Sequence, residues 1–291
     1  MRTRGQTLRL GALTLEWGQR TFIMGVLNVT PDSFSGDGIL VVPEAVDHAR
    51  QMLAEGADVI DVGGESTRPG ADPVPVEEEL RRVVPVVQAL VRNLGAVVSI
   101  DTQKAEVARR GLESGAAMIN DVSALRTDPA MATVVAAHRV PVVLMHGYGE
   151  TMAPSVSTGD VMGEVVEFLR DRIEFAVAGG IPRESILVDP GFGFGKTVEQ
   201  NLDVLRHLGN LRVLDQPIVI GPSRKGTIGR LLGGLPVDDR VEGTAAAVVV
   251  SIMQGADMIR VHDVHAMARV ARMTDVLSRV GSSASGRVGR S

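Results

Sequence analysis

No cysteine occurs in the 291 residues. Disulfides and thiolate metal sites are therefore excluded, and a reducing compartment such as the cytoplasm is the expected location. Aromatic residues make up only 3% of the chain, too few for base-stacking platforms. An excess of positive charge is also missing. The net charge of −5 argues against a nucleic-acid surface. No apolar run is long enough to span a bilayer, and the N-terminus lacks the charged-then-apolar pattern of a secretory signal. There is no HExxH and no dense carboxylate loop, so a permanent metal cage is not expected.

What the chain does contain is regular. Hydrophobic residues reach 44%, enough for a large core. Eight short apolar runs end at Asn28, Asp61, Asp101, Asn120, His146, Asp189, Ser223 and Arg260. The strands read as 22–29, 58–62, 97–101, 118–122, 140–146, 186–189, 217–220 and 258–261. Helices are expected over about 43–55, 77–93, 104–114, 129–138, 160–178, 199–208, 223–232, 240–254 and 266–279. Repeated strand-then-helix units imply a parallel sheet, and eight of them imply an α/β fold of the (β/α)8 TIM-barrel type. The polar residues ending the strands would then meet on one ring at the barrel mouth. Residues 7–23 read as a short N-terminal hairpin around Glu16–Arg20, capping the barrel floor. A single domain over 1–280 is expected, with a disordered Gly/Ser/Arg tail over 281–291.

The loops after the first two strands, 30–38 and 63–71, are long for βα connections. Either alone could be a surface connector, but two at one barrel end favour function. Arg68 beside Pro69 and Gly70 suits bidentate phosphate contact. The stretch Asp189–Thr197 resembles a nucleotide P-loop, but Gly191 and Gly195 are one residue too close, so ATP binding is rejected. Ser223-Arg224-Lys225 opens a short helix at the last strands and suits an anion, with a capped helix and solvated basic residues as the equal competitor. Strand alternation puts Arg260 and His262 on one face and Val261 on the other, which shifts the odds toward a phosphate site. Asp101, Asn120 and Asp189 offer acceptors, and Asn120 also a donor, to an amide-rich heterocycle.

Two longer stretches, Met24–Ser35 and Asp61–Ala71, resemble the signatures of the dihydropteroate synthase family. So do Ser99–Thr102, Asn120–Ser123, Asp189–Phe194, Ser223–Lys225 and Arg260–Asp263, all in register across about 20–278. The resemblance implies a cytoplasmic, homodimeric enzyme of folate biosynthesis that is a target of sulfonamides. Its reaction joins 7,8-dihydropterin-6-ylmethyl diphosphate to para-aminobenzoate, giving 7,8-dihydropteroate and diphosphate, with Mg²⁺. By position it assigns pterin binding to Asp101, Asn120, Met145, Asp189, Phe194, Lys225 and Arg260. It assigns the diphosphate to Asn28, Arg68, Arg260 and His262, with Asn28 as the Mg²⁺ ligand. Phe34, Thr67, Pro69, Phe194 and Ser223 would frame the aminobenzoate, and Arg68, Lys225, Arg260 and His262 would carry the catalysis.

The chain departs from the family pattern in two places. Gly36 intervenes before Asp37, and the loop after the fifth strand runs Gly147-Tyr148-Gly149. A corrinoid-linked pterin methyltransferase barrel shares the pterin pocket but needs no diphosphate cradle. An inert pterin-binding paralogue is opposed by Phe34, Ser35, Thr67 and Arg68.

Overall fold

The computed structural model describes residues 6–29, 41–65, 73–147 and 159–278. Among these, an antiparallel pair, β1 (Thr7–Leu10) and β2 (Leu13–Glu16), precedes eight parallel strands. They are β3 (Phe22–Asn28), β4 (Val59–Gly63), β5 (Val98–Asp101), β6 (Met118–Asp121), β7 (Val142–Met145), β8 (Ile186–Asp189), β9 (Val219–Ile220) and β10 (Met258–Val261). The helices are α1 (Val41–Glu55), α2 (Val76–Leu94), α3 (Ala105–Glu113), α4 (Met131–His138), α5 (Val161–Ala178), α6 (Val198–Arg206), α7 (Gly226–Leu231), α8 (Val241–Met253) and α9 (Val264–Ser278).

The sheet runs β8-β7-β6-β5-β4-β3-β10-β9. A single parallel bridge between Val188 and Ile218 joins its two ends, with the Val188 N–H donating to the Pro217 carbonyl at 2.9 Å. The barrel expected from eight strand-helix repeats is therefore present.

Alternation along the strands separates two cores. Ile23, Ile60, Val62, Ile100, Ile119, Leu144, Val188, Ile259 and Val261 face outward into the layer beneath the helices. Met24, Val59, Met118, Val143, Leu187, Val219 and Met258 fill the barrel floor with Leu8, Leu10, Leu15 and Trp17 of the hairpin region. Two residues further along the same inward faces come Asp61, Asn120, Met145, Asp189 and Arg260. The barrel interior thus changes from apolar floor to polar mouth within one strand repeat.

Several boundaries differ from the sequence reading. The hairpin turn lies at Gly11-Ala12 rather than around Glu16–Arg20, because Gly11 takes the left-handed conformation (φ 57°) that a tight turn requires. β4 runs to Gly63, so Asp61 sits one layer below the rim instead of ending the strand. β7 stops at Met145, and His146 turns outward onto Phe168 of α5, with ring centroids 4.9 Å apart. The expectation that all eight run-ending residues share one ring fails at Asp61 and His146. The expected tail 281–291 lies outside the described residues.

Candidate active site

Strand register builds one ring directly. Asn28 pairs with Gly63, Gly63 with Asp101, and Asp101 with Asn120. Met145 pairs with Asp189 on the far side. Asp101, Asn120, Met145 and Asp189 are all buried, and Asn28 is half-buried at the rim.

Asp61 lies under this ring and is fully buried. Its Oδ2 accepts from Arg260 Nε at 2.6 Å and from Asn120 Nδ2 at 3.0 Å. Arg260 Nη2 donates to Asp101 Oδ2 at 2.5 Å. One guanidinium therefore bridges two carboxylates from two other strands. Burial works against the charge of Arg260, but Asp61 and Asp101 outweigh it and raise its pKa. Asp61 received no role from the sequence, although its run-ending position marked it. The missing signal is depth, which depends on where β4 stops.

Asp101 Oδ1 is buried and has no hydrogen-bond partner among the described residues. A buried, unsatisfied carboxylate oxygen is costly unless a ligand completes it. Burial pushes the Asp101 carboxyl up to about 7, against the pull of Arg260. Burial likewise pushes Asp189 up to about 6, opposed by the Gly191 N–H and then by Lys225. That N–H donates to Asp189 Oδ1 at 2.6 Å. Asp189 and Arg260 both face the barrel interior one repeat above the apolar floor, at the same end of the barrel.

The wall beside these acids is apolar. Val122, Met145 and Phe194 pack as one cluster, and Lys225 Nζ stands 3.8 Å above the centre of the Phe194 ring. This places a cation on an aromatic face at the edge of the acidic slot. Gly193 (φ 82°) permits it, since a Cβ there would come 2.9 Å from Lys225 Cδ.

The triplet Ser223-Arg224-Lys225 does not act as a unit. Arg224 holds a left-handed backbone (φ 58°), and its guanidinium makes paired hydrogen bonds to Asp263, at 2.9 and 2.5 Å. Arg224 is thereby held in an ion pair with Asp263, so of the triplet only Ser223 and Lys225 remain to meet a ligand. Ser223 Oγ accepts from the His262 backbone N–H at 3.1 Å and lies 3.0 Å from His262 Nδ1. Burial first, then Arg260 and Arg224, lower the His262 pKa to about 3, so the ring is neutral near pH 7. A neutral ring accepting the Ser223 hydroxyl at Nδ1 carries its proton on Nε2.

The structure brings together Asp101, Asn120, Met145, Asp189, Phe194, Lys225 and Arg260, with Asn28, Ser223 and His262 at adjoining strand ends. Phe34, Asp37, Thr67, Arg68 and Pro69 lie outside the described residues. A separate cavity of about 250 Å³, lined by Trp17, Arg183, Asp215 and Gln216 among others, lies at the hairpin end and contains none of the expected site residues.

Comparison with known proteins agrees with this geometry. Residues 24–262 match the family model described as pterin binding enzyme. Dihydropteroate synthase of a Synechocystis species is 45% identical over 275 residues, covering 94% of this chain and 95% of that protein. The crystal structure of dihydropteroate synthase from Clostridium difficile, determined in the presence of pteroic acid, superimposes with a TM-score of 0.87 at 46% identity, covering 91% of this chain and 99% of that one. The Xanthomonas albilineans dihydropteroate synthase with 4-aminobenzoic acid gives a TM-score of 0.88 at 45% identity, covering 95% and 99%. With its polar ring set on a barrel of the same shape, the chain belongs to the dihydropteroate synthase family, transferases that form a C–N bond in folate synthesis.

Proposed function

We propose that this chain condenses 7,8-dihydropterin-6-ylmethyl diphosphate with para-aminobenzoate, and that the acidic slot of the barrel mouth holds the pterin. The observation that carries this is the Asp101 carboxylate, whose Oδ1 is buried without a partner among the described residues; it adjoins Asn120, with Asp189 across the ring beside Met145. The pterin edge presents several N–H groups, and this set offers acceptors to match them. Val122, Met145 and Phe194 supply the flat apolar wall.

The C–O bond to diphosphate breaks with its electron pair leaving on the diphosphate oxygen. The amine nitrogen of para-aminobenzoate then forms the C–N bond and gives up a proton. Positive charge on the pterin during this step is favoured by Asp101 and Asp189. Arg260, Arg68 and His262 favour the departing anion, His262 as an N–H donor.

Mg²⁺ belongs to this reading, with Asn28 as its protein ligand. Asn28 Oδ1 and Asp101 Oδ2 flank Gly63, and a Cβ there would lie 3.8 and 3.7 Å from them. The absent side chain leaves that space open. An ion of this kind keeps several of its waters and needs few protein ligands, so it would arrive with its diphosphate. When bound, Mg²⁺ neutralises charge on the diphosphate oxygens.

The same reading includes a homodimer in the cytoplasm and competition by sulfonamides for the aminobenzoate position. Exposed Val250 and Met253 on α8, and Met273, Val276 and Leu277 on α9, offer apolar area that a second copy would cover. No helix among the described residues is long and apolar enough to cross a membrane.

The decisive assay is diphosphate release. Release requiring both the pterin diphosphate and para-aminobenzoate is expected; release indifferent to the amine would refute the condensation.

A further inference from the structure

Lys196 takes no part in the chemistry above, yet it is one of the most deeply placed cations among the described residues, at 6% exposure. It ends the loop that follows β8. Its side chain turns back beneath that loop, and Nζ meets four acceptors: His146 Nδ1 at 2.9 Å and the carbonyls of Gly191, His146 and Phe194 at 3.0, 3.2 and 3.4 Å. Burial is the main cause that lowers the His146 pKa, to about 3, so the ring is neutral and can accept. Burial also lowers Lys196 itself, to about 7, with Asp189 pulling upward and Lys225 downward. Seating an ammonium there is costly, and an unbranched apolar side chain would fill the space without that cost.

The three carbonyls belong to two different segments. His146 follows β7, whereas Gly191 and Phe194 lie in the loop after β8. The two segments are pressed together so closely that a Cβ on Gly191 (φ 68°) would come 1.8 Å from the His146 carbonyl oxygen. The carbonyl oxygens of His146, Gly191 and Phe194 all lie within 3.4 Å of Lys196 Nζ, and oxygens gathered around one point repel unless a cation or donor sits among them. On the loop's outer edge, Asn201 accepts from the Gly193 N–H at 2.6 Å and donates to the carbonyls of Lys196 and Thr197. Asn201 thus secures one edge and Lys196 the other. Between them lie the Gly191 N–H, which holds Asp189, and Phe194, which carries Lys225 on its face.

We infer that Lys196 is a positioning residue for the pterin pocket: its ammonium ties the Gly191 and Phe194 carbonyls to the end of β7 and so sets Asp189 and Phe194 for ligand. The inference rests on the pterin reading of the pocket.

The native chain has no cysteine, which permits a chemical rescue. Lys196→Cys is alkylated with 2-bromoethylamine while unfolded, then refolded, giving a lysine analogue at this position alone. It is compared with Lys196→Met, with unmodified Lys196→Cys and with wild-type protein carried through the same cycle. Binding of 6-hydroxymethyl-7,8-dihydropterin is read by calorimetry and integrity by thermal unfolding. Lys196→Met is expected to fold cooperatively and to bind at least about tenfold more weakly, and the aminoethylated protein to return to within about threefold of wild type. Near wild-type affinity in Lys196→Met would overturn the inference. So would loss of folding in Lys196→Met, which would make the role structural, or aminoethylation that restores nothing. Wild-type protein that fails to bind the pterin would instead remove the pocket assignment itself.

Discussion

Arg260 Nη2 sits 2.5 Å from Asp101 Oδ2 across 159 positions of sequence, while its Nε is held at 2.6 Å by Asp61. The guanidinium that the sequence points toward a diphosphate is thus already oriented by two carboxylates. It organises the acidic slot, and in the proposed reaction it would also serve the departing anion. Asp61 is the deepest member of this trio and also holds Asn120, and its loss has the plainest consequence. Asp61→Ala leaves a buried Arg260 short of one partner and Asn120 Nδ2 short of its acceptor. Removing one partner of a buried pair costs about 3–5 kcal/mol. Urea unfolding should show that loss, and calorimetry should show weakened pterin binding in the protein that stays folded. An unchanged unfolding midpoint would contradict the role given to Asp61.

Arg260→Ala removes a charge donor from the developing anion. Turnover should fall by at least ~10²-fold, in keeping with the loss of one preorganised stabilising group. Steady-state kinetics at saturating concentrations of both substrates measure this. Near-normal kcat would place the leaving-group stabilisation elsewhere.

How far the sequence carries can be judged from particular residues. Asp101, Asn120 and Asp189 were legible because a polar residue terminating an apolar run has little reason to be there other than the barrel mouth. Register makes Asp101 and Asn120 direct neighbours and sets Asp189 beside Met145. Asp61 and His146 looked identical by that criterion and are not at the rim. One lies a layer deep, and the other faces α5, because parity along β4 and β7 depends on boundaries that hydrophobic runs leave uncertain by a residue or two. The sequence leaves Arg224 open between an anion seat and a solvated helix end, for a related reason. Its left-handed backbone sends the side chain to Asp263, and no feature of the triplet announces a positive φ at a non-glycine residue. The neutrality of His262 was likewise invisible, since it arises from burial beside cations brought together only by folding.

Asp189→Ala and Lys225→Ala should each abolish pterin binding, and the wild-type pH profile should carry the same signature. Asp189 has its folded pKa raised from 3.8 to about 6 by burial. A raised carboxyl gives the unliganded fold its full benefit below the unfolded value, and that benefit is lost as pH rises through about 6. Acidification over this window therefore does not weaken the fold through Asp189. It does protonate the acceptor the pterin needs. Pterin affinity should fall as pH drops from 8 to 5 while thermal stability of the free protein holds, a divergence that calorimetry and thermal unfolding can follow together. Parallel declines in both would mean the carboxylates act through stability alone.

Lys104 makes the last case, because it joins Glu65, just before the 66–72 segment, to Glu79 of α2. Its Nζ donates to Glu65 Oε2 at 2.6 Å and to Glu79 Oε2 at 2.5 Å. Glu79 is fully buried and also accepts from the Thr102 hydroxyl at 2.7 Å. Glu65 in turn accepts from the Val74 N–H at 2.7 Å, so the two ends of the 66–72 segment meet at one carboxylate. Lys104→Met keeps the length of the side chain and removes the charge, leaving Glu79 buried with only a hydroxyl for company. The expected cost is about 3 kcal/mol or more in urea unfolding. Double substitution with Glu79→Gln should recover part of it, because the uncompensated charge is then gone. If the double variant is no more stable than Lys104→Met, the lysine contributes through packing of its stem and not through the carboxylates it touches.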